Sequence, residues 1–469
     1  MKKILFITVL TLSLSCFTFA QFGSVGIVDV KSMSLGKTYN ANTDGIYSVG
    51  INPANMMYSP SSHFEFSTVL PLPALSVRVG TNFMNFDDFN YFFGGNNGNA
   101  RLLDSADKQR MYNLFSNSGK VFINLSFTTF AAMYKANPYV GAFGLSMADF
   151  IGGGFTVPMA IIDLGLNGNN PNKVYSFNDV DAQSWWIREY SLSYARELPE
   201  IDQNIFDKIA VGFSIKIVQG FAYFAVDHVN SSFTTGAQDH LTISNEYVIK
   251  SAFSQNFGKI YDFDTSNTGG NMGPFPTPAG TGLGFDFGIA TTYDKVWRFA
   301  LSVTDIGKIN WNKNTAEYSG NGSMTLTDLT DSTQRQQLSD TLKGKGHPTD
   351  GFTTDLPTAF RLGASYNLQE IIPGTLLVAM DYNQGFNNMP GNSKVGRWSL
   401  GADWAPFGWL NVRTGFSVGG IDGFGWAFGI GFDTGLLEFQ FATSDMNQVV
   451  IGNSAKMFTF SFGSRWKID

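Results

Sequence analysis

Between Met457 and Trp466 the chain places Phe458, Phe460, Phe462 and Trp466 on one parity, with Thr459, Ser461, Gly463 and Arg465 on the other. A period of two sends successive side chains to opposite faces of a strand. One face here is aromatic and the other is small or charged, so the strand separates two different surroundings. A strand in a soluble sandwich would carry mainly Val, Ile and Leu on its buried face. Aromatics towards lipid and polar groups towards a lumen suit a transmembrane β-barrel, with Trp466 at the periplasmic interface. The same alternation recurs at Phe122–Met133, Ile209–Ile217, Leu283–Ile289, Trp297–Val303, Phe360–Tyr366, Leu376–Tyr382, Trp398–Trp404, Leu410–Val418, Trp426–Phe432 and Leu437–Phe441. Chance alternation does not persist over so many segments. The expected fold is all-β, a transmembrane antiparallel β-barrel.

Composition agrees with this. Aromatic residues make up 15% of the chain, charged residues only 15%, and there are 51 glycines. A barrel spreads its apolarity over alternate positions, so no run of about twenty apolar residues is needed to span the bilayer. The net charge of −7 and the absence of a basic run exclude nucleic acid as an expected partner. Residues 1–20 read as a signal peptide, with Lys2 and Lys3 before an apolar core and Thr18-Phe19-Ala20 before a cut near Ala20. Cys16 is the only cysteine, and Ser13-Leu14-Ser15 before it does not fit the lipidation pattern. The mature chain is thus expected to have no disulfide and no Cys-based site.

Connections fall into two classes. Short turns occur at Lys135–Pro138, Thr292–Lys295, Leu368–Pro373, Ala405–Phe407 and Asp433–Gly435; long polar segments occur at Thr81–Gly119, Ile151–Gln183, Gly220–Gly280 and Asp305–Pro357. Periplasmic turns and extracellular loops are laid out in this way, and counting His63–Gly80 as one crossing gives about fourteen strands with both termini periplasmic. Pro71 and Pro73 cannot donate to a ladder, which predicts a bulge there. Leu102–Phe115 has helical periodicity and is expected to cap a loop. Residues 21–59 do not alternate and form a candidate plug, or hatch, leaving 60–469 for the barrel and its loops.

Arg78, Asp286, Arg298, Arg361, Asp381, Asp403, Arg413, Glu438 and Arg465 fall on the polar parity of their strands and are candidate lumenal charges. Pairing across the wall is the first expectation for such groups, a polar solute path the second. Phe83, Phe86, Phe89, Phe92 and Phe93 cluster with Tyr91 in a long loop; so large an apolar cluster must be covered by something, the candidates being a hydrophobic ligand, a partner protein and packing within the loops. The four histidines, His63, His228, His240 and His347, offer no spacing that supports catalysis, although Ser231 and Ser232 follow His228. Asp262–Asn267 resembles half of a calcium loop but lacks its closing acidic ligand, so no metal and no cofactor are expected.

Several motifs carry a family resemblance. Asn52-Pro53-Ala54 follows a glycine-containing segment before the first strand; Leu301–Trp311 contains an Asp-Ile-Gly…Trp pattern; Leu356–Gly363 reads Leu-Pro-x-x-Phe-x-Leu-Gly. Together with the strand at Met457–Trp466, these resemble FadL-like outer-membrane barrels, in an uncharacterised branch that is also similar to the PorV/PorQ-type barrels of type IX secretion. The resemblance implies residence in a Gram-negative outer membrane, insertion by the barrel-assembly machinery, and passive uptake of small hydrophobic compounds past the hatch. It implies no enzyme activity. It also implies an alternative, a non-transporting barrel that docks a secretion-system protein. In the transporters an inward kink of one strand opens a lateral route; Ile151-Gly152-Gly153-Gly154-Phe155 is the candidate for such a distortion here, the alternative being a flexible loop start.

Overall fold

The computed structural model describes residues 29–469 apart from 60–62, 96–100, 117–118, 199–204, 237–239, 258–269, 271–272, 329, 369–371 and 421–422. The expected signal peptide, its cleavage site and Asp262–Asn267 lie outside the described residues. Fourteen antiparallel strands close into a barrel. In chain order they are β1 (Phe64–Thr68 and Ala74–Thr81), β2 (Gly119–Asn137), β3 (Gly141–Val157), β4 (Ala182–Glu197), β5 (Lys208–Val229), β6 (Gly280–Tyr293) and β7 (Trp297–Trp311). They continue with β8 (Ala359–Leu368), β9 (Thr375–Gly385), β10 (Arg397–Phe407), β11 (Leu410–Gly419), β12 (Gly423–Asp433), β13 (Leu437–Thr443) and β14 (Met457–Ile468).

Each strand pairs with its sequence neighbours, and β14 returns to β1 through Phe66↔Trp466 and Val79↔Phe458. Closure satisfies both edges, which a hydrocarbon environment requires of any spanning sheet. Phe458 and Phe460 are exposed on the outer face while Thr459, Ser461 and Arg465 are buried. Trp466 stacks on Phe66 with ring centroids 5.8 Å apart. Between its two segments β1 bulges: Leu75 opposes Phe462 and Phe66 opposes Trp466, so residues 69–73 have no strand partners. This is where two prolines remove ladder donors.

The glycine run does not distort the wall. Gly152, Gly153 and Gly154 pair in unbroken register with Asn124, Ile123 and Phe122 on one side and with Trp185, Ser184 and Gln183 on the other. The expected kink is therefore absent at that place. Cross-strand hydrogen bonds on both flanks outweigh the freedom glycine offers.

The long connections hold more structure than polar loops would. Beyond Gly220 strand β5 leaves β6 and pairs with a loop strand, Leu241–Phe253, which pairs in turn with Thr315–Leu326. Four helices also lie in these connections: α2 (Phe86–Phe93), α3 (Ser105–Leu114), α4 (Met159–Asn167) and α5 (Ser332–Lys343). A short helix, α1 (Val30–Ser34), belongs to the hatch, and α6 (Met446–Val450) joins β13 to β14.

Candidate functional site

Residues 29–59 lie inside the barrel, and their backbone is bound by the wall on several sides. Asp381 accepts hydrogen bonds from the N–H groups of Tyr39 and Asn40. Ser365 donates to the carbonyl of Ala41 at 2.8 Å, and Arg298 donates to that of Thr43 at 3.2 Å. Lys208 donates to the Met57 carbonyl at 2.8 Å. Asn40 reaches the carbonyls of Ala300 and Arg361 at 2.7 and 3.0 Å. This segment pairs only part of its backbone within its own short turns, so the lumen wall supplies partners that water would otherwise provide.

The Asn52-Pro53-Ala54 motif sits against this wall. The Asn52 side chain accepts from the N–H of Ala54, capping the turn Pro53–Tyr58, with Pro53 at a position that needs no N–H. Its amide donates to the carbonyls of Ile289 on β6 and Leu301 on β7, each at 3.3 Å.

Room for the hatch is made by inward-facing glycines. A methyl group built at Gly144, Gly212, Gly288, Gly363, Gly401, Gly415 or Gly429 would come under 3.0 Å from a hatch atom. Those positions lie on seven different strands. At Gly212, for instance, the added carbon would stand 2.5 Å from the amide nitrogen of Ala54. Alternation alone places these glycines on the polar parity; the docked segment supplies atoms that an added side chain would meet there, joined by wall atoms at Gly363 and Gly429.

The candidate lumenal charges are all engaged. Arg465 joins the hatch to the wall, reaching Asp44 at 2.8 Å, Glu65 at 3.2 Å and Glu438 at 2.5 Å. Glu65 also accepts from the N–H of Ile46 at 3.0 Å and from the Ser59 hydroxyl. Its place between Phe64 and Phe66 on the inward parity was the available signal for this anchor. Asp403 and Glu438 flank Arg413 at 3.1 and 3.9 Å, Arg361 donates to Thr304 at 2.6 Å, and Arg78 lies 3.8 Å from Asp445. Lys31 reaches Asp44 at 3.2 Å. Burial pushes the Asp44 carboxyl up, but Lys31 and Arg465 outweigh it and hold it well below the ordinary carboxylate range.

Asp286 belongs to a cluster that alternation does not reveal. Lys216 pairs with Asp286 at 3.0 Å, with Glu189 at 3.3 Å and with Asp305. The β6–β7 register shifts between Phe285 and Phe287, and Asp305 has φ 59°. The bulge turns both Thr304 and Asp305 into the wall interior, where strict period two would have put one of them in lipid. Asp286 accepts the N–H of Asp305 at 2.8 Å.

Above this cluster the lumen is packed with apolar groups: Trp185, Ile187, Val218, Tyr223, Ile309, Trp311 and Leu356 are all buried together. The aromatic loop cluster is split between two surroundings. Phe83 and Phe92 are buried with Met111, Phe115 and Leu166 in a small loop core. Phe86, Phe89 and Phe93 project from the opposite face of α2 and are exposed.

A cavity of about 550 Å³ lies elsewhere in the loop layer. Val226, Val229, Phe233, Leu241, Ile243 and Ile249 form its strand side, Leu164 of α4 and Leu338 and Leu342 of α5 its helical side. None of the Phe83–Phe93 aromatics lines it. Five polar residues line its margin, Ser231, Ser232, Ser244, Asn245 and Tyr247; three of them are engaged within the protein, Ser231 donating to Asn245 at 3.0 Å, Asn245 to the Thr341 carbonyl at 2.7 Å, and Tyr247 to the Lys343 carbonyl at 2.6 Å. The hydrogen bonds of Ser231 run to Asn245 and the Glu246 backbone, while His228 stands 3.7 Å from Glu246.

Fold and interior together define an outer-membrane-type β-barrel with residues 29–59 folded against its inner wall. The chain belongs to a family of unknown function (DUF5723), which matches residues 53–445. It is similar to FadL-family barrels over nearly its whole length. The FadL homologue of Pseudomonas aeruginosa shares 12% identity, with 96% of this chain and 100% of that chain covered and a TM-score of 0.47. The toluene transporter TodX of Pseudomonas putida shares 8% identity over 95% and 99% of the two chains, with a TM-score of 0.42. The monoaromatic hydrocarbon channel CymD shares 11% over 95% and 99%, with a TM-score of 0.37. A comparison with curated proteins finds no match.

Proposed function

We propose that the protein captures small, uncharged apolar molecules at its extracellular face and takes them up across the outer membrane. The observation that carries this reading is the cavity between the loop strand Leu241–Phe253 and helices α4 and α5. Its volume, about 550 Å³, lies within the range of roughly 300–1,000 Å³ usual for small-molecule sites. Its walls are aliphatic and aromatic, and the neighbouring Ser231, Asn245 and Tyr247 already spend their hydrogen bonds on the protein. A charged solute would lose its hydration there with no opposite charge in return, only the Ser232 and Ser244 hydroxyls.

Binding of an uncharged hydrophobic fluorophore to the purified protein, followed by its transfer into liposomes that carry the barrel, tests the proposal. Ile243→Asp leaves a charge in the cavity and is expected to abolish both signals, while Ile243→Leu keeps them. A second reading, the docking barrel of a secretion or surface complex, draws support from the rings of Trp185 and Trp311, which fill the lumen between the loops and the hatch. Passage requires those rings to move. Binding without transfer in the wild-type protein would favour that second reading, and loss of neither signal in Ile243→Asp would remove the cavity from the argument.

A further inference from the structure

Helix α2 carries two unlike faces. Asp88 and Phe92 are buried on one, with Asp88 held by Arg110 at 2.6 Å. On the other, Phe86, Phe89 and Phe93 are 54, 54 and 62% exposed, and the rings of Phe89 and Phe93 lie 5.3 Å apart. Their spacing of three and four residues gathers them into one stripe on the helix surface. Three large aromatics on one eight-residue helix form a contiguous patch, which water alone does not account for.

The place of this helix in the barrel says what covers the patch. The N–H of Phe86 donates to the carbonyl of Ala455, and that of Thr81 to the carbonyl of Lys456. Helix α2 therefore starts at the rim, directly above β1 and β14. Exposed Lys456 stands one residue before β14, on the parity of Phe458 and Phe460, and Phe458 pairs with the likewise exposed Val79. The Lys456 ammonium donates to the Asn82 carbonyl at 3.3 Å, and a lysine above an aromatic column suits the level where hydrocarbon gives way to headgroups. The turn Gly452–Ser454, next to α6, packs against α2 and brings the exposed Val449, Val450 and Ile451 alongside. The patch thus begins at the rim where the lipid-facing column of β1 and β14 ends.

We propose that α2 is an in-plane membrane anchor whose Phe86–Phe89–Phe93 face is seated among outer-leaflet lipids. Such helices bury their apolar face about 5–10 Å into the boundary between headgroups and acyl chains. The inference is independent of the cavity and of what it binds. It assigns the loop aromatics to two tasks, Phe83 and Phe92 closing the loop core and the other three holding that core down on the bilayer.

The chain contains only Cys16, so a Cys16→Ser background with Phe89→Cys gives a single labelling site. The labelled barrel is reconstituted in phosphatidylcholine vesicles containing a lipid with a nitroxide high on its acyl chain. A bimane at Phe89→Cys is expected to lose most of its emission to that lipid and to resist iodide in the water, as a label at the lipid-facing Phe458→Cys should. A label at Gln109→Cys on α3 should show the reverse. Should Phe89→Cys disturb the helix, Phe93→Cys reports on the same stripe, and heat-modifiable gel migration checks that each barrel is folded. Emission quenched by iodide and untouched by the nitroxide would overturn the anchor. So would protection from both quenchers, since protein would then be covering the face.

Discussion

At the scale of single residues, the informative positions are those with no side chain. Gly415 on β11 faces inward between Arg413 and Ser417, and a carbon added to it would fall onto the backbone of Leu35. Backbone cannot step aside as the end of a long side chain can. Gly415→Val is therefore expected to weaken hatch docking by about 1–3 kcal/mol, the usual cost of overpacking a filled interior. The change should appear as faster proteolysis within residues 29–59 and a lower unfolding midpoint. Gly408, in the turn between β10 and β11, has nothing within 4 Å of an added carbon, and Gly408→Val should leave both measurements unchanged. The sequence announces many glycines and their parity. It does not announce that a folded segment from elsewhere in the chain lies against them, because that contact is between residues some hundreds of positions apart.

At the scale of elements, the hatch is held by one buried charge system more than by any helix of its own. Asp44 sits between Lys31 and Arg465, and Arg465 in turn holds Glu65 and Glu438. Removing one member leaves the others buried without compensation, at a cost of about 3–5 kcal/mol for a fully buried pair. Asp44 is slightly solvent-accessible, so the lower end of that range is expected for Asp44→Asn. Because the Asp44 carboxyl in the folded protein is depressed below its ordinary value of 3.8, its stabilisation is fully present above that pH and is lost as the pH falls further. In hydrogen exchange of residues 29–59 measured from neutral pH down to about 3, the protection remaining after division by the intrinsic rate at each pH should fall at the acid end in the wild-type protein. In Asp44→Asn protection should start low and lose that part of its pH dependence. Exchange equally slow in both proteins would mean that the glycine-lined contacts alone retain the hatch. Alternation made Arg465 legible as a lumenal charge. Asp305 was not legible in this way, since a bulge breaks the very period from which its direction would be read.

For the whole molecule, stability rests on closure within a bilayer. Phe460 lies on the outer face of β14, two residues beyond the Val79–Phe458 pair on the closing seam with β1. Phe460→Arg is expected to destabilise the barrel by about 2–4 kcal/mol if the side chain stands near the midplane, and less towards an interface. Urea titration in lipid vesicles, followed by gel migration of the folded form, measures this. An equal effect from Phe460→Leu, which stays apolar, would contradict the lipid facing. The same scale explains why the loops surprise. Long connections were expected to be polar, yet β5 runs past the bilayer to pair with Leu241–Phe253, and apolar residues from three connections close a cavity that no single stretch of sequence displays.

The sequence by itself determined the wall. Period-two alternation acts between adjacent residues, so most strand positions, their facing and the even count could be read locally, whereas β3 and β4 were not among the alternating runs and the ends of β3, β5 and β7 fell in segments expected to be loops. The cluster of charges on one parity could be read too, but not its pairing. Partnership among Arg465, Asp44, Glu65 and Glu438, the inward turn of Asp305, the unbroken ladder through Gly152–Gly154, and the division of the Phe83–Phe93 aromatics between a loop core and an outer face were decided by tertiary structure. Each depends on what stands opposite a residue after the barrel has closed, and closure sets those distances between segments that the linear chain keeps far apart.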